Sequence, residues 1–287
     1  MTFKIFILFA VLLAQTTTHL AYSSSGEVPQ FRVLDFVKNG ANPNDLSGVA
    51  WVPETKSYFF VLNKKGLVYE SDENFNHKRT ISISNLGDSE EIVYLGMQES
   101  NGQMYPEVAI AEESGRIFIL TITEKDTYDT LRDGYQFTMN PTNENWGNEG
   151  IEGLAYDQVN KVFYAGKEKS PMAVYKFNRP ADSSIKSVQP TLLITNDQLK
   201  GHISDLSGLF FNEESQRLMI LSHESYSMLD MAEDGTLVKK YPLSKYISKK
   251  VLKSIKSQYE GITIGKDGDL ILTSEPYYYQ QIDLKYL

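Results

Sequence analysis

The chain contains no cysteine. No disulfide can staple the fold, no thiolate can act as nucleophile or soft metal ligand, and no lipid can be attached through a thioether. Histidine is nearly as scarce. There are four, of which His19 lies in an N-terminal apolar segment and His77 and His202 fall in stretches read as inter-strand segments. Too few remain for a histidine-ligated zinc site. Dense Lys/Arg runs are missing too, Lys249-Lys250 and Lys253 reading as a solvated stretch, and the formal net charge is −9. That balance argues against a nucleic-acid partner, because phosphate binding needs clustered cations. The G-x-S-x-G, P-loop, H-E-x-x-H and C-x-x-C patterns are absent, and so is Asn-x-Ser/Thr, since Asn140 is followed by Pro141. Stability must come from burial, from closure of the fold and from any metal it holds.

Apolar residues make up 41% of the 287, enough for a substantial core, and the 18 Tyr and 14 Phe favour strands. At the N-terminus, Lys4 precedes an apolar run from Ile5 to Ala14, then polar residues and the small-residue step Ala21-Tyr22-Ser23. This pattern reads as a secretory signal over residues 1–23. The apolar run is short for a membrane span, with an uncleaved anchor as the alternative. Residues 24–30 form a polar leader, and 31–287 are expected to form a single, monomeric β-domain that is secreted or retained in the cell envelope.

Five short strands open on similar steps: Ser47-Gly48, Glu90-Glu91, Glu152-Gly153, Ser207-Gly208 and Glu260-Gly261. Recurrence at roughly 40 to 60 residues is the mark of a propeller or other repeat architecture. Each opening is followed by a turn and a second strand, which ends on Asn63, Glu112-Glu113, Glu168, His223-Glu224 and Glu275. The first unit shows four strands divided by turn residues, which is one propeller blade. Unit two is longer, with insertions near 98–102 and 126–134. Residues 244–257 read as a short helix or ordered loop. The last unit has only three strands, and the strand-like segment 31–37 is left unpaired. The expectation is an all-β, five-bladed propeller closed by that N-terminal strand, which removes the exposed sheet edges.

The first two strands of each unit form a hairpin, so the start of one and the end of the other lie at the same sheet edge. In a propeller the first strand lines the central channel. All five pairs then face one mouth. The candidate metal ligands are Glu152 and Glu260, followed by Glu90, Glu113, Glu168 and Glu275. Asp45, Asp88, Asn148 and Asp205, just before the strands, are placed to assist. Carboxylates gathered in a narrow channel repel one another unless a cation or protons compensate. A mixed carboxylate, hydroxyl and amide set suits Ca²⁺. The alternative is that each acid only caps a turn or pairs with a lysine.

The steps Asp45-Leu-Ser-Gly-Val-Ala-Trp51, Glu149-Gly-Ile-Glu-Gly-Leu-Ala-Tyr156, Asp205-Leu-Ser-Gly-Leu209 and Tyr259-Glu-Gly-Ile262 resemble the SdiA-regulated family, as do Ala111-Glu-Glu-Ser-Gly115, Lys167-Glu-Lys169 and Ser274-Glu-Pro276. The resemblance implies an exported five-bladed propeller, distantly similar to NHL-repeat proteins, with a calcium site. Unit two departs from it by carrying Glu91 where a glycine is expected. Two functional classes stay open. One is a binding module for an extracellular or envelope ligand, with Tyr277-Tyr278-Tyr279 and Trp146 as candidate surface aromatics. The other is a calcium-dependent hydrolase acting on lactones, esters or phosphoesters. His223 would then be the base, as the one histidine that the hairpin geometry brings to the mouth.

Overall fold

The computed structural model describes residues 31–34, 45–63, 65–140, 150–246 and 258–287. The N-terminal signal and leader, Asn148, Trp146 and the lysines at 249–253 lie outside them. The first strand is β1 (Arg32–Val33). Blade one follows with β2 (Leu46–Val52), β3 (Ser57–Leu62), β4 (Leu67–Asp72) and β5 (His77–Ser84). Blade two holds β6 (Ser89–Ser100), β7 (Gln103–Glu112), β8 (Arg116–Thr121) and, after the short β9 (Thr127–Asp129), β10 (Gly134–Met139). Blade three is β11 (Ile151–Asp157), β12 (Val162–Lys167), β13 (Ala173–Asn178) and, after β14 (Ser187–Val188), β15 (Thr191–Ile194). Blade four is β16 (Gly208–Asn212), β17 (Arg217–Ser222), β18 (Ser227–Ala232) and β19 (Leu237–Pro242). Blade five has β20 (Tyr259–Ile264), β21 (Leu270–Ser274) and β22 (Tyr278–Ile282).

Blade five is completed from the other end of the chain. β1 pairs antiparallel with β22, Arg32 opposite Tyr279 and Val33 opposite Tyr278. The Leu34 amide donates to the Tyr277 carbonyl, and Leu34 is fully buried between blades five and one. The paired strand is shorter than the 31–37 segment, whose residues 35–37 lie outside the described set. The inner strands touch in a closed cycle: β2 against β6, β6 against β11, β11 against β16, β16 against β20, and β20 against β2.

Period-two alternation explains why the ring packs. β3 (SYFFVL) is buried along its whole length, because Phe59 and Val61 face blade two while Tyr58, Phe60 and Leu62 face blade five. The same division yields five apolar clusters, one in each gap between neighbouring blades. Outer strands are half wet: β19 carries Val238, Lys239 and Lys240 outward.

Several elements were not legible in the pattern. Residues 98–102 extend the β6–β7 hairpin. The other insertion of unit two supplies β9, which pairs parallel to β5 as a fifth strand of blade one. β14 does the same for β10 of blade two. His77 opens β5 rather than sitting between strands. Tyr279 stacks on Phe75 at 4.1 Å in the core, and Tyr278 meets Phe31 edge-on, so this aromatic run mostly packs the closing blade. A 3₁₀ turn covers Leu243–Tyr246, and residues 247–257 are outside the described set. No described helix is long and apolar enough to cross a membrane.

Candidate metal centre at the channel mouth

One irregularity recurs in the inner strands. Between β2 and β3 the register shifts from Leu46 to Val49, between β6 and β7 from Ser89 to Glu91, between β11 and β12 from Ile151 to Gly153, and between β20 and β21 from Tyr259 to Gly261. Each shift is a β-bulge, which leaves a residue unpaired and re-aims its side chain. The skipped residues are Ser47-Gly48, Glu90, Glu152 and Glu260. A second device fixes the exit of each β-hairpin. The amides of Asn63, Glu113, Glu168 and Glu275 donate to the carbonyls of Asp45, Asp88, Gly150 and Gln258, two residues before the bulged position. Strand start and hairpin exit are thus latched side by side in four blades.

The result is a polar cavity of about 200 Å³ lined by residues from all five blades. The sequence pairs arrive as expected: Ser47 with Asn63, Glu90 with Glu113, Glu152 with Glu168, Ser207 with His223, and Glu260 with Glu275. Asp88 and Gln258 complete the lining. Two of the paired exits resolve to one residue each. Glu112 turns away, receiving Arg116 Nε at 2.7 Å and the Gly87 amide at 2.6 Å, because it is still in β7 and faces the opposite side from Glu113. Glu224 is exposed and pairs with Lys169 at 2.8 Å. Of the described pre-strand acids, Asp88 lines the cavity, Asp45 does not, and Asp205 works behind His223.

Asp88, Glu90 and Glu113 bring one ligand oxygen each within 4.8 Å of one another. Glu90 also accepts from Asn63 Nδ2 at 2.8 Å and Ser47 Oγ at 3.3 Å. The amide oxygen of Asn63 and the hydroxyl of Ser207, both buried in the lining, have no hydrogen-bond partner among the described residues. Oxygen donors of three chemical types therefore converge without enough protein donors to satisfy them, and this set fits a hard divalent cation. Lys169, 3.0 Å from Glu168 Oε1, is the described cation in contact with the carboxylates.

The electrostatics follow from that imbalance. Burial, then Asp88 and Glu113, pushes Glu90 up to about 8. Burial together with Glu90, Glu260, Glu168 and Glu113 pushes Glu152 up to about 11. Burial and the neighbouring carboxylates, Glu275 first, hold Glu260 well above the ordinary range. In the absence of a metal these groups keep protons near neutral pH.

His223 carries an arrangement invisible in the sequence. Its Nδ1 stands 2.8 Å from Asp205 Oδ2, while the other Asp205 oxygen receives the Ser222 hydroxyl and, at 3.2 Å, the Glu224 amide. Burial acts to lower the imidazole pKa, but Asp205, with Glu224 and Glu168, overrides it and raises the net value. Asp205 is buried yet held below the usual carboxylate range by His223, Ser222 and that amide. A carboxylate at Nδ1 leaves Nε2 as the ring nitrogen available to the cavity.

Directly below the polar level, the channel narrows to Gly48, Glu91, Gly153, Gly208 and Gly261. The Glu91 side chain crosses this waist, its Oε1 accepting from the amides of Val49 (3.2 Å) and Ile92 (3.1 Å). A Cβ on Gly48 would stand 2.1 Å from that oxygen. One on Gly153 would meet Leu209 Cβ at 2.7 Å, and one on Gly261 the Ser47 carbonyl at 2.7 Å. The departure in unit two is therefore a plug against Gly48, where Glu91 takes the room a side chain would need; at Gly153 and Gly261 that room is taken by Leu209 and Ser47.

This chain belongs to the SdiA-regulated family, whose model matches residues 26–283. Solved structures similar to it are also propellers. The structure of a luciferin-regenerating enzyme aligns over 89% of this chain and 96% of its own, at 13% identity and a TM-score of 0.51. The nidogen/laminin complex aligns over 81% of this chain and 73% of the matched chain, at 12% identity and a TM-score of 0.51. At such identities the likeness concerns the fold alone.

Proposed function

We propose that the protein is an exported calcium-binding propeller that presents the metal-loaded mouth of its channel to an extracellular or cell-envelope ligand. The observation that carries this reading is the bulge-and-latch geometry. It gathers Asp88, Glu90, Glu113, Glu152, Glu168, Glu260 and Glu275 around one small polar cavity, with Lys169 as the described countercharge. Asp88, Glu90 and Glu113 are the central ligands in this reading, with Glu152, Glu260 and Asn63 completing an oxygen set of the size Ca²⁺ takes. The ion would supply the charge that the carboxylates now obtain from protons. The test is calorimetric titration of the chelator-treated protein with Ca²⁺, together with its melting temperature. Saturable binding and a rise in melting temperature are expected. No response at millimolar Ca²⁺ would reduce the carboxylates to turn and ion-pair residues.

The Asp205–His223 contact favours a second reading, a metal-dependent hydrolase. A loaded site would polarise an ester or phosphoester oxygen. Asp205 would fix the ring, and His223 Nε2 would accept the proton of the attacking water. Calcium-dependent turnover on an ester, lactone and phosphoester panel separates this reading from the first.

A further inference from the structure

The same inner strands that carry carboxylates at one end build an apolar pit at the other. Two to four residues beyond each polar opening, Val49, Ile92, Leu209 and Ile262 close around the channel, and Trp51 and Phe210 stand half-buried above them. The pit measures about 290 Å³. That is about twice the 150 Å³ of an engineered apolar cavity that takes up benzene, so it has room for an aromatic ring with a short arm. Glu91 at the waist, bonded to the amides of two floor residues, separates the pit from the mouth.

The rim is acidic and held in place. Glu54 Oε2 accepts from the Tyr94 hydroxyl at 2.8 Å, and Glu213 Oε1 accepts from the Gln158 amide at 2.6 Å. The Gln158 side chain reaches back to the Tyr94 carbonyl at 3.4 Å, joining blades two, three and four along the rim. Among the described residues neither carboxylate has a Lys or Arg partner, and each spends one oxygen on a neutral donor. Two carboxylates over an apolar floor whose lining includes Trp51 and Phe210 are complementary to one ligand chemistry.

We propose that the pit is a binding site for a small organic cation, an aryl or alkyl body seated between Trp51 and Phe210 with its ammonium group at Glu54 and Glu213. Anions are repelled by the rim, and neutral compounds of equal shape lose the charge contact. The site is independent of the metal centre, from which Glu91 and the glycine waist divide it.

Calorimetric titration of the calcium-saturated protein with 2-phenylethylammonium, 2-phenylethanol and phenylacetate tests this. The cation should saturate at or below about 1 mM, the alcohol should bind at least about tenfold more weakly, and phenylacetate should not bind. The double variant Glu54→Gln/Glu213→Gln keeps the rim hydrogen bonds and should lose that tenfold preference. Glu152→Gln, at the mouth, should leave it unchanged. Three results overturn the proposal: no saturation by the cation, equal binding of the alcohol, or a preference lost in Glu152→Gln but kept in the rim variant. The last outcome would place the probe at the mouth.

Discussion

The two ends of this channel are built by the same five strands, with only a few residues between them, yet their chemistry is opposite. At the mouth, bulges release Glu90, Glu152 and Glu260 from the ladder and turn them toward one another. At the pit the inward positions are Val49, Ile92, Leu209 and Ile262, and the ladder is regular there except for a second shift in β6 between Tyr94 and Gly96. The contrast teaches that a single inserted residue in four of the five inner strands suffices to switch a channel from apolar to polar along its length. It also shows where repulsion is stored. The mouth concentrates it in one small cavity, with Lys169 reaching Glu168 from beside it, while the pit separates its two carboxylates along an open rim.

The waist is where this comparison breaks most severely. Gly48→Val places atoms within 2.6 Å of Glu91 Cα and 2.7 Å of the Ile92 nitrogen, both backbone and unable to swing aside. A loss of about 3 kcal/mol in unfolding free energy is expected, the upper end for overpacking. Urea denaturation measures it. A loss well below 1 kcal/mol would mean that the waist yields and that the two ends are not rigidly divided.

Calcium acts next, and on one end only. Ligand at about 100 times its dissociation constant stabilises by about 2.7 kcal/mol if it binds the native state alone. Glu90→Gln/Glu113→Gln should remove this gain, whereas the rim pair Glu54→Gln/Glu213→Gln should retain it. Thermal melts with and without Ca²⁺ report both. A gain lost in the rim variant and kept in the mouth variant would exchange the roles assigned to the two ends.

How much of this was readable beforehand follows from particular residues. The openings and exits recur in the sequence, so the five blades, the closing strand and the shared mouth were legible. Bulges were not, because nothing in Ile151-Glu152-Gly153 announces that Glu152 has no cross-strand partner. The choice of Glu113 over Glu112 depends on where β7 ends, and one residue of slip reverses the face. Asp205 behind His223 joins residues of different segments, and the parallel additions β9 and β14 pair strands of only two or three residues across blades. Unit two looked irregular at Glu91, and the structure turns that irregularity into the plug.

Without metal, pH should distinguish the two ends more gently. A carboxyl whose folded pKa is raised holds a proton that the unfolded chain has already released. The folded state therefore binds more protons over that interval, and stability falls as pH rises. Its contribution is complete below about 4.5, erodes toward 8 through Glu90, and continues toward 11 through Glu152. In chelator the melting temperature should decline between about pH 5 and 8, and saturating Ca²⁺ should abolish the decline by taking the place of the protons. Glu90→Gln should flatten the chelator curve. A metal-free protein equally stable across this range would show that the mouth carboxylates do not repel as their burial requires.

The smallest effect expected on stability comes from His223→Gln, which also decides between the functional readings. The substitution removes the charge facing Asp205 Oδ2 but leaves the Ser222 hydroxyl and Glu224 amide on its other oxygen. A loss of about 1 kcal/mol is expected near pH 6, the scale of one net hydrogen bond, at a site where Asp205 is buried and the His223 side chain is 20% exposed. The sign of its pH dependence is fixed by the raised imidazole pKa: the contribution is complete below 6.5 and is lost as pH rises through the higher folded value. The difference between wild type and variant should therefore shrink at alkaline pH, and there, with the imidazole neutral, Ca²⁺ affinity should stay the same, because the central carboxylates are untouched. For a binding module neither protein turns over esters, lactones or phosphoesters above background. If the wild type instead shows calcium-dependent turnover that His223→Gln abolishes, the mouth is a hydrolytic site in which Asp205 and His223 move the proton.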